Sequence, residues 1–198
     1  TVPMALAAGT QGLTLAFDPN PFVFKILEIN AGLNKDHSNI QAFNYAITSK
    51  EASFYYHSSE ASFGNGGISE TPESRHGRFS LSQKIRGIRL EEFLDAQFPG
   101  FAARLKLIKI DTEGYDLEII KSVSGLIQNH RPYLIAECFT RLTPSERAEL
   151  FQQVRALGYR LYHFTDFTRD TVFTPLQHPG DMLRWKHFDF IADRKSVV

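Results

Sequence analysis

Short apolar runs alternate with stretches of helical spacing along most of the chain. LTLAF (13–17), NIQAFNYAI (39–47), SFYYH (53–57), IRGIRL (85–90), LKLIKI (105–110), PYLIAECF (132–139), YRLYHF (159–164) and FDFIADR (188–194) read as strands. SFYYH is expected to form a hairpin with the end of the run before it. After LTLAF comes DPNP, where Pro19 and Pro21 stop the strand and favour a helix start. From there Phe22, Ile26, Ile29 and Leu33 fall on one helical face. LEEFLDAQF and YDLEIIKSVSGLI read as further helices. TPSERAELFQQVRALG (143–158) carries a complete start signal: Thr143 at the cap, Pro144 first in the helix and Glu146 three residues after the cap. Gly158 closes it.

This β-α-β-α order predicts an α/β fold with a mostly parallel sheet covered on both faces. There is no internal repeat, and 198 residues suffice for one domain with a sizeable core. Residues 58–80 break the alternation. SSEASFGNGGISETPESRHGRFS is rich in Ser, Gly and Glu and nearly devoid of aliphatic residues. A segment of this kind is expected to be a lid or substrate loop, with Phe63, Arg75, His76 and Arg78 within reach of a ligand.

Charge narrows the partners. Lys+Arg and Asp+Glu are both 22, so net charge is zero and nothing draws the chain to nucleic acid or an anionic membrane. A small-molecule substrate is expected instead; oligomeric state is left open. The single cysteine, Cys138, allows neither an internal disulfide nor a paired-cysteine zinc site, which points to a reducing, cytoplasmic setting. No run reaches the roughly 18 apolar residues of a membrane span. TVPMALAAG lacks the basic start of a signal peptide and begins without methionine, so the native start is expected upstream of Thr1.

Ligands of open α/β sheets sit beyond the carboxyl ends of the strands. Three runs end there in acids, Asp18, Asp111 and Glu137, which are expected to share one crevice. Asp18 could hold a nucleotide ribose or cap the helix after it. Asp111 and Glu113 could belong to a site or accept from the free N–H groups of the next helix, whose dipole Asp116 and Glu118 favour. Glu137, late in an apolar strand, could face a site or pair with Lys109. Asp111 and Glu137 with a third oxygen ligand could also hold Mg²⁺. His57, His76 and His163 read as loop or core histidines.

LAFDPNPFVFKILEINAGLN, NIQAFNYAITSKEASFYYH, RLEEFLDAQF, LIKIDTEGYDLEIIKSV and RPYLIAE, in that order, resemble the FkbM-type family of S-adenosylmethionine-dependent methyltransferases. KIDTEGYDLEII matches the family's K-I-D-x-E-G-x-[DE] turn, and FDPNP resembles its F-E-P motif with Asp in place of Glu. The resemblance implies a Rossmann-like class I methyltransferase sheet with an antiparallel last strand, and one domain over 1–198. It implies S-adenosylmethionine as cofactor, with Asp18 on the ribose, Pro19 and Asn20 beside it, and Ala46 and Ile47 flanking the adenine. It places Asp111 near the transferred methyl as base or substrate anchor, Glu113 and Gly114 in the turn, and Glu137 along the same crevice. O-methylation of a hydroxyl on a sugar or secondary metabolite follows.

The family's first strand and its D-x-G-A-N-x-G loop are expected before residue 1, because TVPMALAAGTQG resembles the helix just after that loop. The domain is therefore expected to be N-terminally incomplete, and these residues alone are not expected to bind the cofactor normally. Two other readings stand beside this one. One is a nucleotide-dependent oxidoreductase on a Rossmann-like sheet. The other is a degenerate methyltransferase-like domain used for binding.

Overall fold

The computed structural model describes residues 1–33, 35–61, 66–73 and 77–194. The chain divides into two compact units, Thr1–Ile88 and Arg89–Val198.

The first unit opens with helix α1 (Val2–Ala8), strand β1 (Thr14–Phe17) and helix α2 (Pro21–Leu33). β2 (Ile40–Phe43) pairs with β1 in parallel, Thr14 opposite Ile40 and Phe17 opposite Phe43. The run read as one strand over 39–47 is broken: β3 (Ala46–Ile47) starts anew after Asn44. The Asn44 amide donates to the carbonyls of Asp18 and Pro19, which turns the chain out of the β1–β2 ladder. β4 (Ala52–Ser58), β5 (Gly67–Ser69), β6 (Phe79–Ser80) and β7 (Ile85–Ile88) complete the unit. β4 runs antiparallel to β5, β6 and β7, and β3 runs parallel to β7. The expected hairpin between SFYYH and the preceding strand is thus replaced by pairing with β7. His57 of β4 is 2% exposed, with Nδ1 on the Ser80 hydroxyl and Nε2 on the Ser69 hydroxyl. It is a core histidine that fastens β5 and β6, so the described part of 58–80 includes strand as well as loop. Phe63, Arg75 and His76 lie outside the described residues, and Arg78 stacks its guanidinium over Phe79.

α2 does not bury the face its spacing suggests. Phe22, Ile26, Ile29 and Leu33 share a face, and it is exposed: 52, 61, 63 and 71%. Pro21, Val23, Phe24, Leu27 and Ala31 are the half-buried positions, and the helix packs against β2.

The second unit holds α3 (Leu90–Gln97), β8 (Leu107–Ile110), α4 (Asp116–Ser122), α5 (Ser124–His130), β9 (Tyr133–Cys138), α6 (Pro144–Ala156), β10 (Arg160–Phe164), β11 (Phe173–Leu176) and β12 (Phe188–Asp193). Its sheet runs β11-β10-β12-β9-β8. The helix expected over YDLEIIKSVSGLI breaks at Val123 into α4 and α5. The Thr143 signal of α6 is present in full: Thr143 Oγ1 accepts from Glu146 N–H, and the Glu146 carboxylate accepts from Thr143 N–H. Leu134, Ala136, Phe190 and Ala192 alternate onto one buried sheet face. Leu150 and Val154 of α6 and Ile120 and Ile127 of α4 and α5 are buried with them.

The architecture is mixed α/β, and the expectation of a mostly parallel sheet is corrected. β1–β2, β3–β7 and β8–β9 are parallel, while six other described pairings are antiparallel. Connection length accounts for one of these. Parallel neighbours need a crossover of a dozen or more residues, and the short link β10–β11 carries no helix and joins antiparallel neighbours. β12, the last strand, lies antiparallel between β9 and β10, as expected. No described helix is long and apolar enough to cross a membrane.

Candidate active site

β8 ends at Ile110, and Asp111 to Tyr115 form the turn into α4. Glu113 and Gly114 both have positive φ, 55° and 102°. A Cβ at Gly114 would stand 3.1 Å from the Phe139 ring, so this position favours glycine for both backbone and space. The capping role considered for these acids is not found. The cap residue of α4 is Tyr115, without a side-chain hydrogen bond to the helix. Asp116 ties the turn to the sheet instead. It is 1% exposed, accepts from Thr112 Oγ1 (2.8 Å) and Gly114 N–H (3.4 Å) with one oxygen, and from Glu137 N–H (3.2 Å) with the other. Burial raises its carboxyl pKa, against those donors.

Strand register then builds a row of acids. Ile110, the last residue of β8, stands opposite Ala136 in the parallel β8–β9 pair, and Asp111 follows it within electrostatic reach of Glu137. Glu137 stands directly opposite Asp189 on β12. Directly opposed residues project to the same face, so Glu137 and Asp189 share one, and Asp111, just past β8, lies near both. Asp111 is exposed and paired with Lys109 at 2.6 Å, leaving Lys109 on Asp111 rather than on Glu137. Glu137, 5% exposed, meets His187 Nε2 through Oε1 at 2.8 Å. Its Oε2 is buried with no hydrogen-bond partner among the described residues. Burial, then Asp111, Asp116, Glu113 and Asp189, push the Glu137 pKa up to about 8. Glu113 is raised by burial and by Asp111, and Asp189 by burial foremost.

His187 was not legible as a site residue. It lies half-exposed on the link into β12, held by two devices. Arg147 of α6, 5% exposed, donates to the carbonyls of Phe139, Leu142, Met182, Trp185 and Lys186. Trp185 stacks on His163 at 3.8 Å between centroids, and burial lowers the pKa of that histidine. Cys138, beside Glu137, is fully buried and pushed up to about 11 by burial, which makes it an inert thiol.

The other sequence candidates belong to the first unit. Asp18 follows β1 and is half-buried; burial raises its pKa. One of its oxygens accepts from Asn20 N–H at 2.9 Å, and the other takes no hydrogen bond from a described residue. Asn20, 1% exposed, accepts the N–H of Phe22 and so starts α2; Pro19 gives its carbonyl to Asn44. Ala46, 4% exposed, and Ile47 form β3. The free Asp18 oxygen suits a ribose hydroxyl, so the residues present fit the ribose part of S-adenosylmethionine. No three His, Cys, Asp or Glu side chains among the described residues are placed to hold a metal ion.

Acids thus gather where β8 and β9 end, beside the strand-to-helix turn into α4. The Methyltransferase FkbM domain model matches residues 1–161, and the chain belongs to that family. No curated protein and no solved structure matches it.

Proposed function

We infer that the protein is an S-adenosylmethionine-dependent methyltransferase of the class I type, acting in the cytoplasm on a hydroxyl of a sugar or secondary metabolite. The match to the FkbM methyltransferase domain over residues 1–161 carries this reading. When bound, S-adenosylmethionine supplies a methyl group on a sulfonium, an electrophile that needs an aligned nucleophile. Asp18 would hold the ribose through its free oxygen, with Pro19 and Asn20 fixing the backbone beside it and Ala46 and Ile47 against the adenine. Asp111 is exposed at the end of β8 and can accept a hydroxyl proton as a general base, a contribution of about 10²–10⁴-fold in rate. Lys109 holds that carboxylate in place. Glu113 shapes the turn, and Glu137 lines the same row.

The test is Asp111→Asn in the full-length protein. Turnover is expected to fall by at least about 10²-fold with little change in affinity for S-adenosylmethionine. Unchanged turnover rejects the role of Asp111.

A further inference from the structure

We propose that the exposed face of α2 is a self-docking surface, through which two copies of the chain pair with their α2 helices antiparallel. The surface is independent of the methyltransferase reading above.

Single apolar residues at a surface are ordinary, but four large ones in one stripe are not. Phe22, Ile26, Ile29 and Leu33 are 52, 61, 63 and 71% exposed. They follow one another in steps of four, three and four residues. That spacing makes the narrow seam by which a helix meets another helix. The opposite side of α2 is already in use: Phe24, Leu27 and Ala31 are half-buried there, and the helix packs against β2. At 3.6 residues per turn the two sets of positions lie about 180° apart around the helix. A strand added to the β1–β2 sheet therefore cannot cover the seam, because α2 lies between.

The occupant that fits is a second copy. A helix that lies on a lipid surface carries several Lys or Arg on its polar side. α2 has one cation, Lys25, and one acid, Glu28. The seam complements itself instead. In an antiparallel pair about a two-fold axis, Phe22 meets Leu33 of the second copy and Ile26 meets Ile29, so every level is apolar on both sides. Lys25 and Glu28 lie on the same flank of the seam, both exposed, and neither forms an ion pair with a described residue. Like flanks adjoin in an antiparallel pair, which sets Lys25 beside Glu28 of the second copy, twice over. A parallel pair would set Lys25 against Asn30, with no charge to match. The four side chains offer on the order of 500 Å² per copy, so both copies together reach only the lower end of a specific interface. The dimer is accordingly weak, with dissociation in the micromolar range.

The experiment is sedimentation analysis of the full-length protein from about 1 to about 200 μM. A monomer is expected at the low end and a dimer at the high end. Ile26→Gln and Ile29→Gln are each expected to weaken the dimer at least tenfold, while urea unfolding at about 1 μM stays as in wild type. That second measurement separates a lost contact from a lost fold. Lys25→Glu alone is expected to weaken the dimer at least threefold, and Lys25→Glu combined with Glu28→Lys to restore it. A protein that stays monomeric at about 200 μM overturns the proposal, as does a dimer that both isoleucine variants leave intact. A charge swap that restores nothing overturns the antiparallel arrangement. Binding of the monomer to phosphatidylcholine–phosphatidylserine vesicles, lost in the same isoleucine variants, gives the face to a lipid surface and also overturns it.

Discussion

At Glu137 burial and charge act in the same direction. The carboxyl is 5% exposed and stands among Asp111, Asp116, Glu113 and Asp189, so its folded pKa of about 8 lies far above the unfolded value. The folded state therefore holds the proton more tightly than the unfolded chain. The resulting stability is fully present below about pH 4.5 and is lost as pH rises through about 8. Urea unfolding between pH 5 and 8 should show stability falling with pH, by roughly 3 kcal/mol from this group at pH 7. Glu137→Gln should flatten that dependence; an equally steep slope in the variant contradicts it. Asp111 behaves otherwise. It is exposed and its pair with Lys109 is a surface one, so Asp111→Asn should change stability by less than about 1 kcal/mol while lowering turnover. Gly114→Ala should cost about 1–3 kcal/mol, because φ is 102° and Phe139 is already close. Thermal unfolding of the two variants side by side separates a chemical role from a structural one.

Among the elements, Arg147 is the clearest case of one residue holding several segments. Its guanidinium serves five carbonyls from the α6 approach and the 182–186 link. Lysine has three donors on a point charge and cannot match that fork. Arg147→Lys should destabilise by about 3 kcal/mol in urea unfolding. α2 tests the opposite case. Ile26→Gln and Ile29→Gln lie on its exposed face and should each stay within about 0.5 kcal/mol of wild type. The same helix shows what a sequence can and cannot say. Spacing told which residues share a face, but the covered face depends on where β2 lies, and that is Val23, Phe24 and Leu27. Runs such as LKLIKI and PYLIAECF were readable because alternation and length are local. β5, β6 and β11 were not, since short strands in polar sequence form only when β4 or β10 supplies partners. The turn acids were placed correctly at the end of β8, yet Asp116 was read as a helix-end charge. Its true partners, Thr112 and the N–H of Glu137, include one from another strand.

For the molecule as a whole, the family was legible from the order of motifs, above all KIDTEGYDLEII, and the domain match covers the same stretch. The site was legible only in part. Asp111 and Glu137 stood out at strand ends, but Asp189 and His187 join them through the antiparallel placement of β12, a register no local pattern encodes. Asp18 stands in the first unit with one oxygen already committed to Asn20 and one open. The central claim, a methyltransferase that uses S-adenosylmethionine, is tested most directly by calorimetric titration of the full-length protein with S-adenosylmethionine and with NAD. S-adenosylmethionine should bind, Asp18→Ala should weaken it at least tenfold, Asp111→Asn should leave it within about threefold, and NAD should give no signal. Binding of NAD in its place, or no loss of affinity in Asp18→Ala, contradicts the account.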